Sequence, residues 1–241
     1  MRWCIDPNPD ELNREVNTVI CSIRRLRAEV GGRALFDISA VEITGRCCSI
    51  YGPSGVGKST FLKGLANGEA ESTSGELTIR KLLRFNSGIR NIRYIPQHPP
   101  RFDFTVKKFF DRMLIANQDC AGCADTLDKI CTDFDLHPIL NARMTDVSGG
   151  QLHRVHLAAA LSSNADLLLL DEPTAALDRN NVVILMRLLR EFIDERSGYV
   201  ICCTHDASFR SQGNFYERWH ALDFPTFNPV QDDESDKIYA T

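Results

Sequence analysis

The chain has 241 residues, of which 43% are hydrophobic and 25% charged, and its formal net charge is −4. That balance suits one α/β domain with room for an inserted lobe. No apolar run approaches the roughly 18 residues of a membrane span, and the mildly acidic balance gives no overall reason to expect nucleic acid as a partner.

Residues 1–15 are polar and carry Pro7 and Pro9, so they read as an N-terminal extension without the apolar segment of a signal peptide. Val16–Leu26 and Ala34–Ile43 are β-rich runs split by Gly31-Gly32, the pattern of a hairpin. Arg24, Arg25, Arg27 and Arg33 read as its solvated surface. Thr44-Gly45-Arg46 turns the chain into an apolar strand, Cys47–Tyr51. Glu76–Arg80 and Ile92–Ile95 are two further candidate strands.

From Thr105 the period becomes helical, with Val106, Phe109, Phe110, Met113 and Leu114 on one stripe. A second helix is expected over Ala124–Phe134, broken by His137-Pro138, and a third over Gly149–Leu161. Leu167–Leu170 is continuously apolar, as a strand covered on both faces must be. An amphipathic helix over Asn180–Arg196 and a buried strand over Val200–Cys203 follow. The prolines beyond Phe224 and the group Asp232-Asp233-Glu234 suggest a flexible acidic tail over 225–241. The organisation expected is a main domain over 16–224, with an antiparallel β subdomain first and a helical lobe inserted at about 100–160.

The 9 cysteines fall into two kinds. Cys47, Cys48, Cys202 and Cys203 lie in apolar runs, where a thiol packs as a small hydrophobe. Cys120 and Cys123 form a C-x-x-C without a second half-site, so incidental free thiols are expected rather than zinc or a disulfide.

Gly52-Pro53-Ser54-Gly55-Val56-Gly57-Lys58-Ser59 fits G-x-x-x-x-G-K-[ST], between the strand Cys47–Tyr51 and a helix start at Thr60. Backbone amides of such a loop, with the helix dipole behind them, cradle phosphates. Lys58 is expected at the β- and γ-phosphates and the Ser59 hydroxyl on Mg2+. Asp171, closing the apolar strand, suits the Mg2+ shell, and Glu172 is placed to orient or deprotonate an attacking water. Ser148-Gly149-Gly150-Gln151 before a helix forms a second anion clamp. One nucleotide does not need two clamps in one chain, whereas a head-to-tail dimer does.

With these residues in place, the chain resembles the ATP-binding cassette (ABC) family of ATPases from about Ile23 to Leu222. Val147–Gln151 is similar to the family's signature motif, with Val147 where Leu is usual. The resemblance implies an α/β P-loop NTPase core of the ABC ATPase fold that binds ATP and Mg2+. It implies that Gln97, after Tyr94-Ile95-Pro96, contacts metal and water and couples to the helical lobe. It implies that Ala176-Leu177-Asp178 crosses a dimer interface and that His205 contacts the γ-phosphate. Two departures stand out: Leu26–Val30 holds no aromatic residue to stack on adenine, and Ala159 stands where many members carry a second arginine.

The implied partners are a second ABC ATPase subunit, identical or not, and a separate transmembrane permease. The chain itself would lie in the cytoplasm, on the inner face of the membrane. No direct membrane span and no nucleic acid are expected. The short carboxyl end, without an appended regulatory domain, leans towards extrusion. The competing reading is a soluble ABC ATPase that remodels a protein, ribosomal or nucleic-acid partner. A binding module with degraded catalysis is disfavoured by Glu172 and His205.

Overall fold

The structure is a computed structural model and describes residues 18–66, 72–74, 77–117, 122–205 and 219–229. The proposed extension over 1–15, Cys120 and the acidic group at 232–234 lie outside these residues.

Two sheets organise the chain. β1 (Val19–Val30) and β2 (Arg33–Thr44) form the expected hairpin around Gly31-Gly32. With β4 (Ser72–Ser74) and β5 (Leu77–Phe85) they make an antiparallel sheet of order β2-β1-β5-β4. β5 runs on to Phe85, beyond the strand read at Glu76–Arg80, because Leu83 continues the buried alternation set by Ile79.

The second sheet has the order β10-β9-β3-β8-β7-β6, comprising β3 (Cys47–Tyr51), β6 (Ile92–Ile95), β7 (Leu167–Asp171), β8 (Tyr199–Cys203), β9 (Trp219–Asp223) and β10 (Asn228–Pro229). All neighbours in it are parallel except β10 on β9. Its helices are α1 (Lys58–Ala66), α2 (Val106–Ala116), α3 (Cys123–Asp133), α4 (Gly149–Leu161) and α5 (Arg179–Asp194). α2, α3 and a 3₁₀ turn at His137–Ile139 lie between β6 and α4, in the stretch expected to form the helical lobe.

The parallel strands separate two cores by the period-2 alternation of a pleated chain. Cys47, Leu168, Leu170, Val200 and Cys202 face α2–α5. Cys48, Ile50, Leu167, Leu169, Ile201 and Cys203 face α1 and the antiparallel sheet. Burial on both faces explains why these strands read as unbroken apolar runs. Cys47, Cys48, Cys202 and Cys203 are fully buried free thiols, and burial pushes Cys48 up to about 12.

Two expectations need correction. The sheet does not stop at Phe224: Asn228 pairs with Asp223 and Pro229 with Leu222. Phe224 is buried and packs edge-on against Phe36 and Phe61, and Phe227 also meets Phe61, so apolar contact holds this segment down. An edge strand tolerates the proline that suggested a tail. Cys123 is disulfide-bonded, not a free thiol. Among the described residues no helix is long and apolar enough to cross a membrane.

Candidate functional site

Parallel pairing brings distant motifs to one edge. β6, β7, β8 and β3 are consecutive neighbours, with Ile95 opposite Leu170, Asp171 opposite Cys203, and Cys203 opposite Ile50. The carboxyl ends of these strands therefore lead side by side into Gln97, Asp171-Glu172, His205 and the loop from Gly52. A crevice at such an edge is where open α/β sheets hold ligands.

Gly52–Gly57 forms the loop, and Lys58, Ser59 and Thr60 open α1. Gly57 is required by both its conformation and its surroundings. Its φ is 109°, and a Cβ there would lie 3.0 Å from Phe36 Cδ1 and 3.1 Å from Leu35 Cδ2. The β2 side chains Leu35 and Phe36 thus wall the loop, a contact the motif did not announce. Within 26–30, where the sequence lacks an aromatic residue, Arg27 pairs with Glu29 at 2.6 Å.

Lys58 is 7% exposed, and its ammonium is fully engaged. It donates to Gly52 O at 2.7 Å and Pro53 O at 3.1 Å and lies 3.1 Å from His205 Nε2. His205 Nε2 is also 3.3 Å from Glu172 Oε1. One ring nitrogen cannot accept from Lys58 and donate to Glu172 together, so two exclusive hydrogen-bond states share this point. The His205 backbone N–H donates to Glu172 Oε2 at 3.1 Å, and the Glu172 N–H donates to Cys203 O at 2.8 Å. Glu172 has a φ of 49°, a left-handed conformation costing about 1–3 kcal/mol in a non-glycine residue.

Asp171 is buried at the end of β7, and its Oδ2 accepts from the Tyr94 hydroxyl at 3.3 Å. Burial first, and then the Asp171 charge, raise the Tyr94 phenol above its ordinary value. Tyr94 escaped the sequence reading as a site residue; the one signal was a polar aromatic near the end of an otherwise aliphatic strand. The hydroxyl of Ser59 and the carboxylate of Asp171 are hard oxygen donors, which fit Mg2+ carried in with phosphates. Gln97 stands exposed two residues beyond β6.

The second motif forms a separate site. Ser148 caps α4: its Oγ accepts from Gln151 N at 3.2 Å, while Ser148 N donates to Gln151 Oε1 at 2.9 Å. This reciprocal box satisfies the helix start and leaves Ser148 and Gly149 exposed. Gly150 is pressed against the loop before α5, where a Cβ would come within 2.8 Å of Ala176 O. Asp178 caps α5 through Asn181 N at 2.9 Å, and that backbone hydrogen bond holds its carboxyl below the ordinary value. Among the described residues no hydrogen bond or ion pair joins Ser148–Gln151 to the loop 52–60.

Behind Ser148, α4 is tied to the end of α3. Arg154 donates to Phe134 O at 2.6 Å. Ala159, at the position of the absent second arginine, is buried in the helical core. His153 is 1% exposed, and its ring nitrogens lack a well-formed hydrogen bond. Burial lowers its pKa to about 4, with His156 and His98 adding to the drop and the Pro173 backbone opposing it.

The fold is that of an ABC ATPase domain. A solved structure titled "Structure of ATP binding subunit of ABC transporter" superposes with a TM-score of 0.67 at 18% identity, covering 84% of this chain and 85% of that one. The post-hydrolysis dimer of the ATP-binding cassette MJ0796 with ADP and Pi matches at a TM-score of 0.63 and 22% identity, covering 89% and 100%. Residues 36–175 match the ABC transporter family, and the chain belongs to it. The zinc import ATP-binding protein ZnuC of Marinobacter nauticus is 33% identical over 165 residues, which is 67% of this chain but only 58% of that protein.

Proposed function

We propose that this chain is the ATP-hydrolysing subunit of an ABC transporter, acting as a dimer of cassettes attached to a separate permease at the cytoplasmic face of the membrane. The observation that carries the reading is the meeting of Lys58, His205 and Glu172 at the edge that also bears Asp171 and Gln97. A lysine, an imidazole and a carboxylate converging beside a phosphate loop form a phosphoryl-transfer constellation.

The residues would act as follows. Loop 52–57 and the first turn of α1 receive the phosphates on backbone amides. Lys58 exchanges Gly52 O, Pro53 O and His205 for β- and γ-phosphate oxygens. That exchange frees His205 Nε2 to meet the γ-phosphate and leaves Glu172 to orient and deprotonate the attacking water. Ser59, Asp171 and Gln97 would hold Mg2+, which when bound neutralises charge on the transferring group. Ser148, Gly149, Gly150 and Gln151 of a second cassette would supply donors from the other side. The zinc-import relative favours uptake over extrusion.

The test is Glu172→Gln, assayed with the co-purifying permease. It should keep ATP binding and lower turnover by about 10²–10⁴-fold. Near-normal hydrolysis in that variant would remove Glu172 from the mechanism, and the absence of any co-purifying membrane protein would favour the soluble alternative.

A further inference from the structure

The segment after Gln97 is fastened to the turn that precedes Ser148. Met144 N donates to Phe104 O at 3.0 Å, Val106 N to Ala142 O at 3.0 Å, and Lys107 N to Leu140 O at 2.8 Å. Thr105 and Arg143 form a β-bridge, and Arg143 reaches Asp103 at 2.5 Å. His156 Nε2 on α4 sits 3.0 Å from Pro100 O.

At the centre is Arg101, four residues beyond Gln97. One nitrogen, Nη1, donates to Val147 O at 2.8 Å, Thr145 O at 3.0 Å and Met144 O at 3.1 Å. Three carbonyls converging on one cation define the curvature of the turn 144–147, and Val147 is the residue directly before the capping serine. Within the turn, Thr145 and Asp146 are exposed, and the Thr145 hydroxyl donates to the Asp146 side chain at 2.8 Å. Hydrogen bonds from a guanidinium are about twice as strong as neutral ones, so Arg101 adds a charge-assisted link to the backbone bonds between the two segments.

We infer that Arg101 is a positioning residue that sets where Ser148 stands relative to Gln97. A displacement of Gln97 on engaging the γ-phosphate would travel through Arg101 to the turn 144–147. It would thereby change the donors that this chain presents to its partner's nucleotide. The inference rests on the composite site proposed above.

The test uses the full chain in the Glu172→Gln background, with two readouts: binding of a fluorescent ATP analogue, and ATP-driven dimerisation followed by sedimentation. Arg101→Ala and Arg101→Gln should bind the analogue as the parent does and melt at the parent's temperature. Their ATP midpoint for dimerisation should rise by about tenfold, the scale of one charge-assisted hydrogen bond. Arg101→Lys, which keeps a cation within reach of the carbonyls, should recover part of the shift. A general structural role would instead lower melting temperature and analogue affinity together, and that result overturns the inference. So does an unchanged dimerisation midpoint in all three variants. A parent that stays monomeric at saturating ATP overturns the composite site, and this inference with it.

Discussion

The strand-end half of the site and the helix-start half are satisfied in opposite ways. At the strand ends, groups from far apart in sequence satisfy one another: Lys58 with His205, His205 with Glu172, Tyr94 with Asp171, while Lys58 also holds the carbonyls of its own loop. At the start of α4, Ser148 and Gln151 satisfy each other within four residues, and Gly149 is left open. The first half must give up contacts to receive a phosphate; the second gives up none that belong to another element. Under the proposed function, an arriving nucleotide would work against the strand-end contacts first, and the exposed serine cap of a second cassette would close on what the first half presents.

The largest expected effect comes from separating the halves genetically. Lys58→Ala and Ser148→Arg chains should each be inactive alone, because each homodimer carries two damaged sites. Mixed, they form dimers with one doubly damaged site and one intact site, and part of the ATPase activity should return. Normal hydrolysis by Ser148→Arg protein alone would show that the two halves do not share a nucleotide.

A smaller effect sharpens the comparison at the joint between them. His153 sits in α4 behind the serine cap, near Pro173, which directly follows Glu172. Its folded pKa of about 4 lies below the ordinary 6.5, so the native state resists protonation. Its contribution is whole above pH 6.5 and is lost as pH falls towards 4, amounting to about 3 kcal/mol over that window. His153→Leu should flatten the fall in stability between pH 7 and 4 by that amount. Parallel stability–pH curves for the two proteins in denaturant titrations would sink this account.

What could be read beforehand divides by range. Ile92–Ile95 and Gly149–Leu161 coincide with β6 and α4, because an apolar run between turns and a serine cap are local signals. The phosphate loop was readable because its glycines and lysine act through neighbouring backbone. Tyr94 on Asp171, Leu35 and Phe36 on Gly57, and Arg101 on the turn 144–147 were not readable. Each joins residues brought together by sheet order or lobe packing, and no periodicity encodes such a meeting. β10 was hidden by Pro229, whose edge position removes the usual objection to it. The disulfide at Cys123 was argued away from the expected compartment, which the residues themselves do not record.

Glu172 has the chemistry of a carboxylate on a backbone better suited to glycine. Replacing it with glycine would relieve that conformation and raise the melting temperature by a few degrees, for a gain of about 1 kcal/mol, while ending catalysis. A Glu172→Gly protein that melts no higher than its parent would mean that the surrounding hydrogen bonds already offset the strain. Otherwise the position is a trade between durability and turnover, and a search for sturdier variants of this chain would be drawn towards inactive ones there.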